Sequence, residues 1–197
     1  MSSLRIIAGA YRRRRLELPR GVSIRPTSSR LKESIFATLH FVLPGARFLD
    51  LCAGTGAIGL EAASRGAAEV VLVERDRRCV AAIRRNAANC GAEHRVEVVQ
   101  ADCLAALEQL WEAGRAFDIL FADPPYDSDL LDGTVEALRR RPELVGEGGW
   151  VCLEHEPRHP DVAAPLGFEV QSRKHFGDQA ATFLRRIAAG VDGPGGP

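Results

Sequence analysis

The sequence predicts an α/β fold: a mostly parallel sheet of seven strands that finishes in an antiparallel C-terminal hairpin, preceded by a small basic N-terminal β-hairpin. Three observations carry this expectation. Apolar runs at 47–51, 69–74, 95–100 and 117–122 are short, β-branched or aromatic, and bounded by turns. Helical windows at about 56–65, 77–90 and 102–112 alternate with them, the pattern of βαβ units in a sheet buried on both faces. Near the end of the chain, "FEVQSRKHF" and "ATFLRRI" are separated only by "GDQA", a connection that permits nothing but an antiparallel pair.

The elements follow in order. "LRIIA" (4–8) and "RLEL" (15–18) flank the turn segment "GAYRRRR" and predict the N-terminal hairpin. "RPTSSRLKESIFATLHFVLPG" predicts a helix capped by Thr27 or Ser28, with Leu31, Ile35 and Leu39 on one face and Pro44-Gly45 as its stop. The alternating strands and helices come next. A fourth helix of the alternation, at about 128–140, then leads to a fifth strand in "GGWVCLEHE". The sequence divides into a basic extension (1–24), a main domain (25–187) and a tail (188–197) whose "AAGVDGPGGP" composition predicts disorder.

The 197 residues, 46% hydrophobic, suffice for one good core. No apolar run approaches the ~20 residues that span a bilayer, and the N-terminus does not resemble a signal peptide. Five cysteines form no C-x-x-C pair and no zinc spacing, so they read as reduced, mostly buried side chains of a cytoplasmic protein. Net charge is zero, yet residues 1–32 hold nine Lys/Arg and one acid. That asymmetry points to an anionic partner at the N-terminal end.

"FLDLCAGTGAIGLE" (48–61) contains the dinucleotide fingerprint G-x-G-x-x-G at 54–59, with Glu74 eighteen residues after Gly56. Taken alone, this predicts NAD. Position argues for another adenosine cofactor. In an open parallel sheet, ligands sit outside the carboxyl ends of the strands. Asp50, Glu74, Asp102 and Asp123 fall at four successive strand ends. S-adenosyl-L-methionine explains all four. Asp50 faces its ammonium, and Glu74 accepts from the ribose hydroxyls. Asp102 accepts from the adenine amine, with the Cys103 amide available to a ring nitrogen. The Gly54 and Gly56 turn lets backbone approach the ligand, and helix N-terminal amides receive its carboxylate. A pyrophosphate would instead meet Asp50 unfavourably. Asp102 also has a plain structural reading as a helix cap.

"DPPY" (123–126) supplies the chemistry. Two prolines stop the strand and stiffen the turn. The Asp123 carboxylate and Pro124 carbonyl can both accept from a planar NH2 group, and Tyr126 can stack on the attached ring. This assigns Asp123, Pro124 and Tyr126 as the catalytic set of a Rossmann-like class I S-adenosylmethionine-dependent methyltransferase.

"FLDLCAGTGAIGLEAASRGA", "VVLVERD", "QADC", "FADPPY", the early "RPT" and the late "FGDQAATFLRR" together resemble the bacterial 16S rRNA guanine-N2 methyltransferase family (RsmD), from about Leu4 to Ile187. Departures are Cys52, where relatives often have an aromatic or small residue, and Phe176, where tyrosine is common. The resemblance implies methyl transfer from S-adenosylmethionine to the exocyclic N2 of a guanine in 16S rRNA. The partner would be the small ribosomal subunit or an assembly intermediate, and the enzyme a cytoplasmic monomer. It implies cofactor contacts at Asp50, Gly54, Gly56, Glu74 and Asp102. Arg12, Arg13 and Arg14 of "YRRRR" become candidate phosphate contacts, which give affinity without sequence choice. Alternatives that share the motifs are an adenine-N6 or protein glutamine-amide methyltransferase. More remote are an NAD-linked oxidoreductase and a non-catalytic rRNA-binding module. Arg25 and Thr27 of "RPT" have no assigned contact. "HEPRH" (155–159) matches the zinc-protease pattern H-E-x-x-H, but Pro157 and Pro160 forbid the helix it requires. These histidines read as loop residues, and no metal is expected.

Overall fold

The computed structural model describes residues 4–19, 21–22, 27–158 and 162–188. Arg25, His159 and residues 189–197 of the expected tail therefore lie outside the described residues. The first helix is α1 (Ser29–Thr38), capped by Ser28, whose side chain accepts from the Leu31 amide. Alternation then runs β1 (Arg47–Leu51), α2 (Ala57–Ser64), β2 (Glu69–Glu74), α3 (Arg77–Cys90), β3 (Val96–Gln100), α4 (Cys103–Glu112), β4 (Phe117–Ala122) and α5 (Leu130–Arg140). A 3-10 turn leads into β5 (Val145–His155), and β6 (Phe168–Phe176) and β7 (Gln179–Arg186) form the closing hairpin. The seven strands lie in the order β3-β2-β1-β4-β5-β7-β6. β7 is antiparallel to both of its neighbours, β5 and β6. A dinucleotide sheet of order 3-2-1-4-5-6 has no such inserted antiparallel strand.

Local chemistry explains the boundaries. Asp76 caps α3 by accepting from the Arg78 amide, and Gly91 ends it in a left-handed conformation at φ 71. β2 is buried along nearly its whole length, as a central parallel strand must be. One sheet face packs Phe48, Phe121, Cys152 and Phe183 against α1, α2 and α3. The other packs Leu49, Leu120, Val151 and Leu184 under α4 and α5.

Three local expectations are corrected. α1 ends at Thr38, before Pro44, because the chain leaves the helix in turns at Leu39–Leu43 and turns Phe41 out to solvent, 93% exposed. The N-terminal hairpin is not a pair of regular strands. It is held by one antiparallel bridge, Arg5 with Arg15, and by backbone bonds such as Ile6 N to Arg14 O at 3.0 Å. His155 is not in a loop but closes β5, buried, with its Nε2 2.9 Å from Thr182 Oγ1.

The N-terminal arm is stitched to the body rather than appended. Ile6 and Leu16 are buried against Leu60, Ala87 and Cys90. The Glu61 carboxylate, on α2, accepts from the amides of Ile7 at 2.7 Å and Ala8 at 2.9 Å. Lys32 reaches the Arg5 carbonyl at 3.1 Å and pairs with Glu61 at 3.6 Å. Burial holds the Lys32 ammonium below its usual range, and Glu61 works against that shift. Asn86 ties the arm to the glycine turn, donating to the carbonyls of Glu17 and Thr55.

Candidate active site

One cleft of about 530 Å³ opens at the carboxyl ends of the parallel strands. That volume suits a cofactor-sized ligand. Asp50, Glu74, Asp102 and Asp123 all line it, together with Gly54, Cys103, Pro124 and Tyr126. Acids from four different strand ends thus share one concavity, which a scattered arrangement would not have produced.

Each acid has a distinct environment. Asp50 is 1% exposed and accepts from the Gly59 amide at 2.9 Å. Burial raises its carboxyl well above the usual range; the Gly59 bond opposes this, and Asp123 and Glu74 add to it. A cation in the cleft would favour its ionised form. Glu74 accepts from the Gly54 and Asp76 amides at 2.8 Å each, so it joins the turns after β1 and β2. Asp102 does what its structural reading predicts, capping α4 through the amides of Leu104 and Ala105. It is nonetheless exposed at the cleft, where Oδ2 remains to accept from a ligand amine. Asp123 is half-buried on the turn that follows β4, beside buried Pro124.

The glycines divide the labour. Gly54 borders the cleft at φ 56, while Gly56 does not border it. Gly56 instead makes the left-handed turn at φ 74 that starts α2. At Gly59, an added Cβ would stand 2.3 Å from Leu72 Cδ2, so this glycine serves helix–sheet packing. Gly56 gives α2 no side-chain cap; Asp50 accepts from the Gly59 amide in its first turn, and Ala57 and Ile58 line the cleft. Cys52 shares the cleft with Cys103 and adopts φ 61, unusual for a residue with a side chain. The Cys103 thiol beside it, with burial, pushes Cys52 up, and Cys52 in turn draws Cys103 down.

Arg12, Arg13 and Arg14 are not brought to the cleft. They are exposed on the turn of the arm, and Tyr11 beside them is packed into the core rather than presented for stacking. Leu4 and Val22 of the arm do line the cleft. Among the described residues no group of His, Cys, Asp and Glu is arranged to hold a metal, and no helix is long and apolar enough to cross a membrane.

Sequence reasoning missed a polar group at the β5 side of the cleft. Glu154, at the end of β5 and 1% exposed, accepts from Thr27 Oγ1 at 3.0 Å and from Gln179 Nε2 at 2.6 Å. Gln179 in turn accepts from the Ser28 amide at 3.0 Å. Thr27, Glu154 and Gln179 all line the cleft. No local motif announces this group, because 127 residues separate Thr27 from Glu154 and only the insertion of β7 beside β5 brings Gln179 alongside.

Comparison with known proteins agrees with this geometry. A family model described as "Conserved hypothetical protein 95" matches residues 4–185. Ribosomal RNA small subunit methyltransferase D of Escherichia coli K12 is 34% identical over 187 residues, 95% of this chain and 92% of that protein. The chain belongs to this family. The solved structure of yhhF from Escherichia coli superposes with a TM-score of 0.83 at 29% identity, covering 95% of this chain and all of that one. A hypothetical protein of Thermus thermophilus gives 0.75 at 34% identity, covering 91% and 97%. The RsmD-family chain is a class I methyltransferase that uses S-adenosylmethionine. Asp50, Gly54 and Glu74 line its cleft, with the Gly54 amide donating to Glu74 and the Gly59 amide to Asp50.

Proposed function

We propose that the protein methylates the exocyclic N2 of a guanine in 16S rRNA of the small ribosomal subunit, presented within the subunit or an assembly intermediate. It does so as a cytoplasmic monomer, with residues 1–24 contacting RNA and residues 25–187 forming the catalytic domain. The observation that carries the reading is that Asp123-Pro124-Pro125-Tyr126 shares one cleft with Asp50, Glu74 and Asp102. A family relative named for small-subunit rRNA methylation supports the substrate.

In this reading Asp50, Gly54, Glu74, Asp102 and the Cys103 amide hold the cofactor, with Gly56 shaping the turn. When bound, S-adenosylmethionine supplies an electrophilic methyl carbon on a sulfonium sulfur, which departs with its bond pair as a neutral thioether. The target base must leave its stack to reach the cleft, and Tyr126 receives its ring face. Asp123 accepts one N2 hydrogen and the Pro124 carbonyl the other. Two acceptors on one delocalised amine pull it toward a pyramidal geometry and aim its lone pair along the line of displacement. The methylated nitrogen is briefly cationic and strongly acidic, so Asp123 or water takes its proton without being a strong base. Arg12, Arg13 and Arg14 meet phosphates away from the reacting base.

Asp123→Ala tests the assignment. Methyl transfer should fall by ~10³-fold or more, while calorimetry with S-adenosylhomocysteine gives a Kd within about threefold of wild type. Equal loss of both would make Asp123 a structural residue. NAD should give no heat with either protein.

A further inference from the structure

The row of polar groups does not stop at Asp123. Side chains alternate along a strand, so residues two apart share a face. Asp50 pairs with Phe121 between β1 and β4, Phe121 with Cys152 between β4 and β5, and Glu154 with Ala181 between β5 and β7. Phe121, Cys152 and Ala181 all lie in the core on the α1–α3 face. Asp50 and Glu154 therefore point to that face, and Asp123, two residues beyond Phe121, continues it. Ala122, the last residue of β4, pairs with Leu153, so the turn that begins at Asp123 leaves the sheet beside Glu154, on the neighbouring strand at a spacing of ~4.8 Å. Burial raises the Cys152 thiol, and the Glu154 and Asp123 carboxylates add to that rise. Glu154 also borders the small cavity formed by Pro124, Pro125 and Tyr126. It thus stands beside the turn that would hold the reacting amine.

Planar amino groups differ in what lies next to the nitrogen. In adenine N6, the neighbouring ring nitrogen N1 is a bare acceptor, as is N3 beside cytosine N4; in a glutamine amide the neighbour is a carbonyl oxygen. Guanine N2 alone has an N–H donor, N1–H, beside the amine. A fixed carboxylate next to the amine-binding turn would welcome guanine and repel the others, because each of them would face it with a lone pair. We propose that Glu154 is the specificity-determining residue of this cleft, accepting from guanine N1–H while Asp123 and Pro124 hold the N2 amine. This rests on the guanine-N2 reading above and adds to it the residue that selects the base.

The surroundings suit the role. Thr27 and Gln179 hold the carboxylate by one hydrogen bond to each oxygen. At 1% exposure, a hydrogen bond to it meets little competition from water. Thr27 and Gln179 are positioning residues, and they give "RPT" and the closing hairpin a common purpose.

The test uses small-subunit particles reconstituted on rRNA that carries either guanine or 2-aminopurine at the mapped target. 2-Aminopurine keeps the N2 amine but presents a bare N1 and lacks O6. Wild type should prefer guanine by ~10²-fold or more in kcat/KM. Glu154→Gln, whose amide can turn an N–H toward a bare N1, should shrink that preference at least tenfold. Its S-adenosylhomocysteine Kd should stay within about twofold of wild type. The loss of O6 is common to both enzymes, so the change in preference isolates N1. Glu154→Asp, which keeps the charge, should keep the preference at a lower rate. An unchanged preference in Glu154→Gln, with both substrates slowed alike, would overturn the inference and make Glu154 only a structural hub. If that variant fails to fold, wild type still decides: equal use of guanine and 2-aminopurine overturns it, and strong discrimination together with its retention in Glu154→Asp upholds it. Methylation by wild type at a base other than guanine would instead overturn the functional reading itself.

Discussion

Replacing Glu74 by glutamine should damage both the fold and the cofactor site, in amounts the geometry sets. The carboxylate receives two backbone amides, Gly54 and Asp76, each at 2.8 Å and each on its own oxygen. Glutamine has one oxygen, so one amide would instead meet an NH2 group, donor against donor. A hydrogen bond to a charged group contributes about 1.5–3 kcal/mol, and Glu74 is only 9% exposed, so water restores little of it. For a domain of this size that corresponds to a Tm lower by roughly 3–12 °C. If Glu74 accepts from the ribose hydroxyls as proposed, its loss should also weaken S-adenosylhomocysteine by ~10–100-fold. Calorimetry with 5′-methylthioadenosine separates the causes, since that ligand keeps the ribose and lacks the amino acid. Its affinity should fall by a similar factor. An unchanged Tm with affinity inside twofold would refute the reasoning, as would weakening confined to S-adenosylhomocysteine.

Asp50 should make cofactor affinity depend on pH. Its raised carboxyl pKa means that the folded chain keeps this proton to higher pH than the unfolded chain does. The empty protein therefore gains stability as pH falls from above the folded-state pKa toward the unfolded value, and an ammonium must expel the proton to bind below it. S-adenosylhomocysteine binding should weaken on acidification through that window, by at most about tenfold per pH unit, whereas 5′-methylthioadenosine stays flat. Parallel pH profiles for the two ligands would contradict the role. The arm gives a second test. Glu61→Ala strips the Ile7 and Ala8 amides of their acceptor and leaves buried Lys32 without its counter-charge, a loss of about 3–5 kcal/mol. Limited proteolysis should then cut within residues 1–22 of this variant before the body is lost. In the intact arm, Arg12/Arg13/Arg14→Ala should flatten the salt dependence of RNA binding by about one unit of slope per phosphate contact removed. An unchanged slope would leave the arginines as a solubility device.

Much of this molecule could be read along the chain. The central strands are short runs such as "EVVLVE" whose neighbours are turns, and α3 carries its own start and stop in Asp76 and Gly91. The four cleft acids were legible because each follows a strand directly, and parallel strands bring such ends together. What was not legible depends on pairing across long separations. Glu61 reads as an ordinary helical acid, yet its carboxylate is fully buried and gathers the arm. Glu154 and Gln179 lie on strands that only the inserted antiparallel β7 makes neighbours. His155 fell both within the strand stretch "GGWVCLEHE" and within "HEPRH", whose prolines suggested a loop; it is the last residue of β5. The end of α1 was missed because its apolar face continues into turns through Leu39 and Leu43, which stay buried without being helical.

The central claim is that these strand-end acids and the DPPY turn form one methyl-transfer site for a guanine amine. It is tested most directly by incubating the protein with labelled S-adenosylmethionine and small subunits that lack the modification, then digesting the rRNA and mapping the labelled nucleoside. The account predicts label in N2-methylguanosine at a single position of 16S rRNA, absent with Asp123→Ala. Label in N6-methyladenosine, in protein, or nowhere while the cofactor still binds would contradict it.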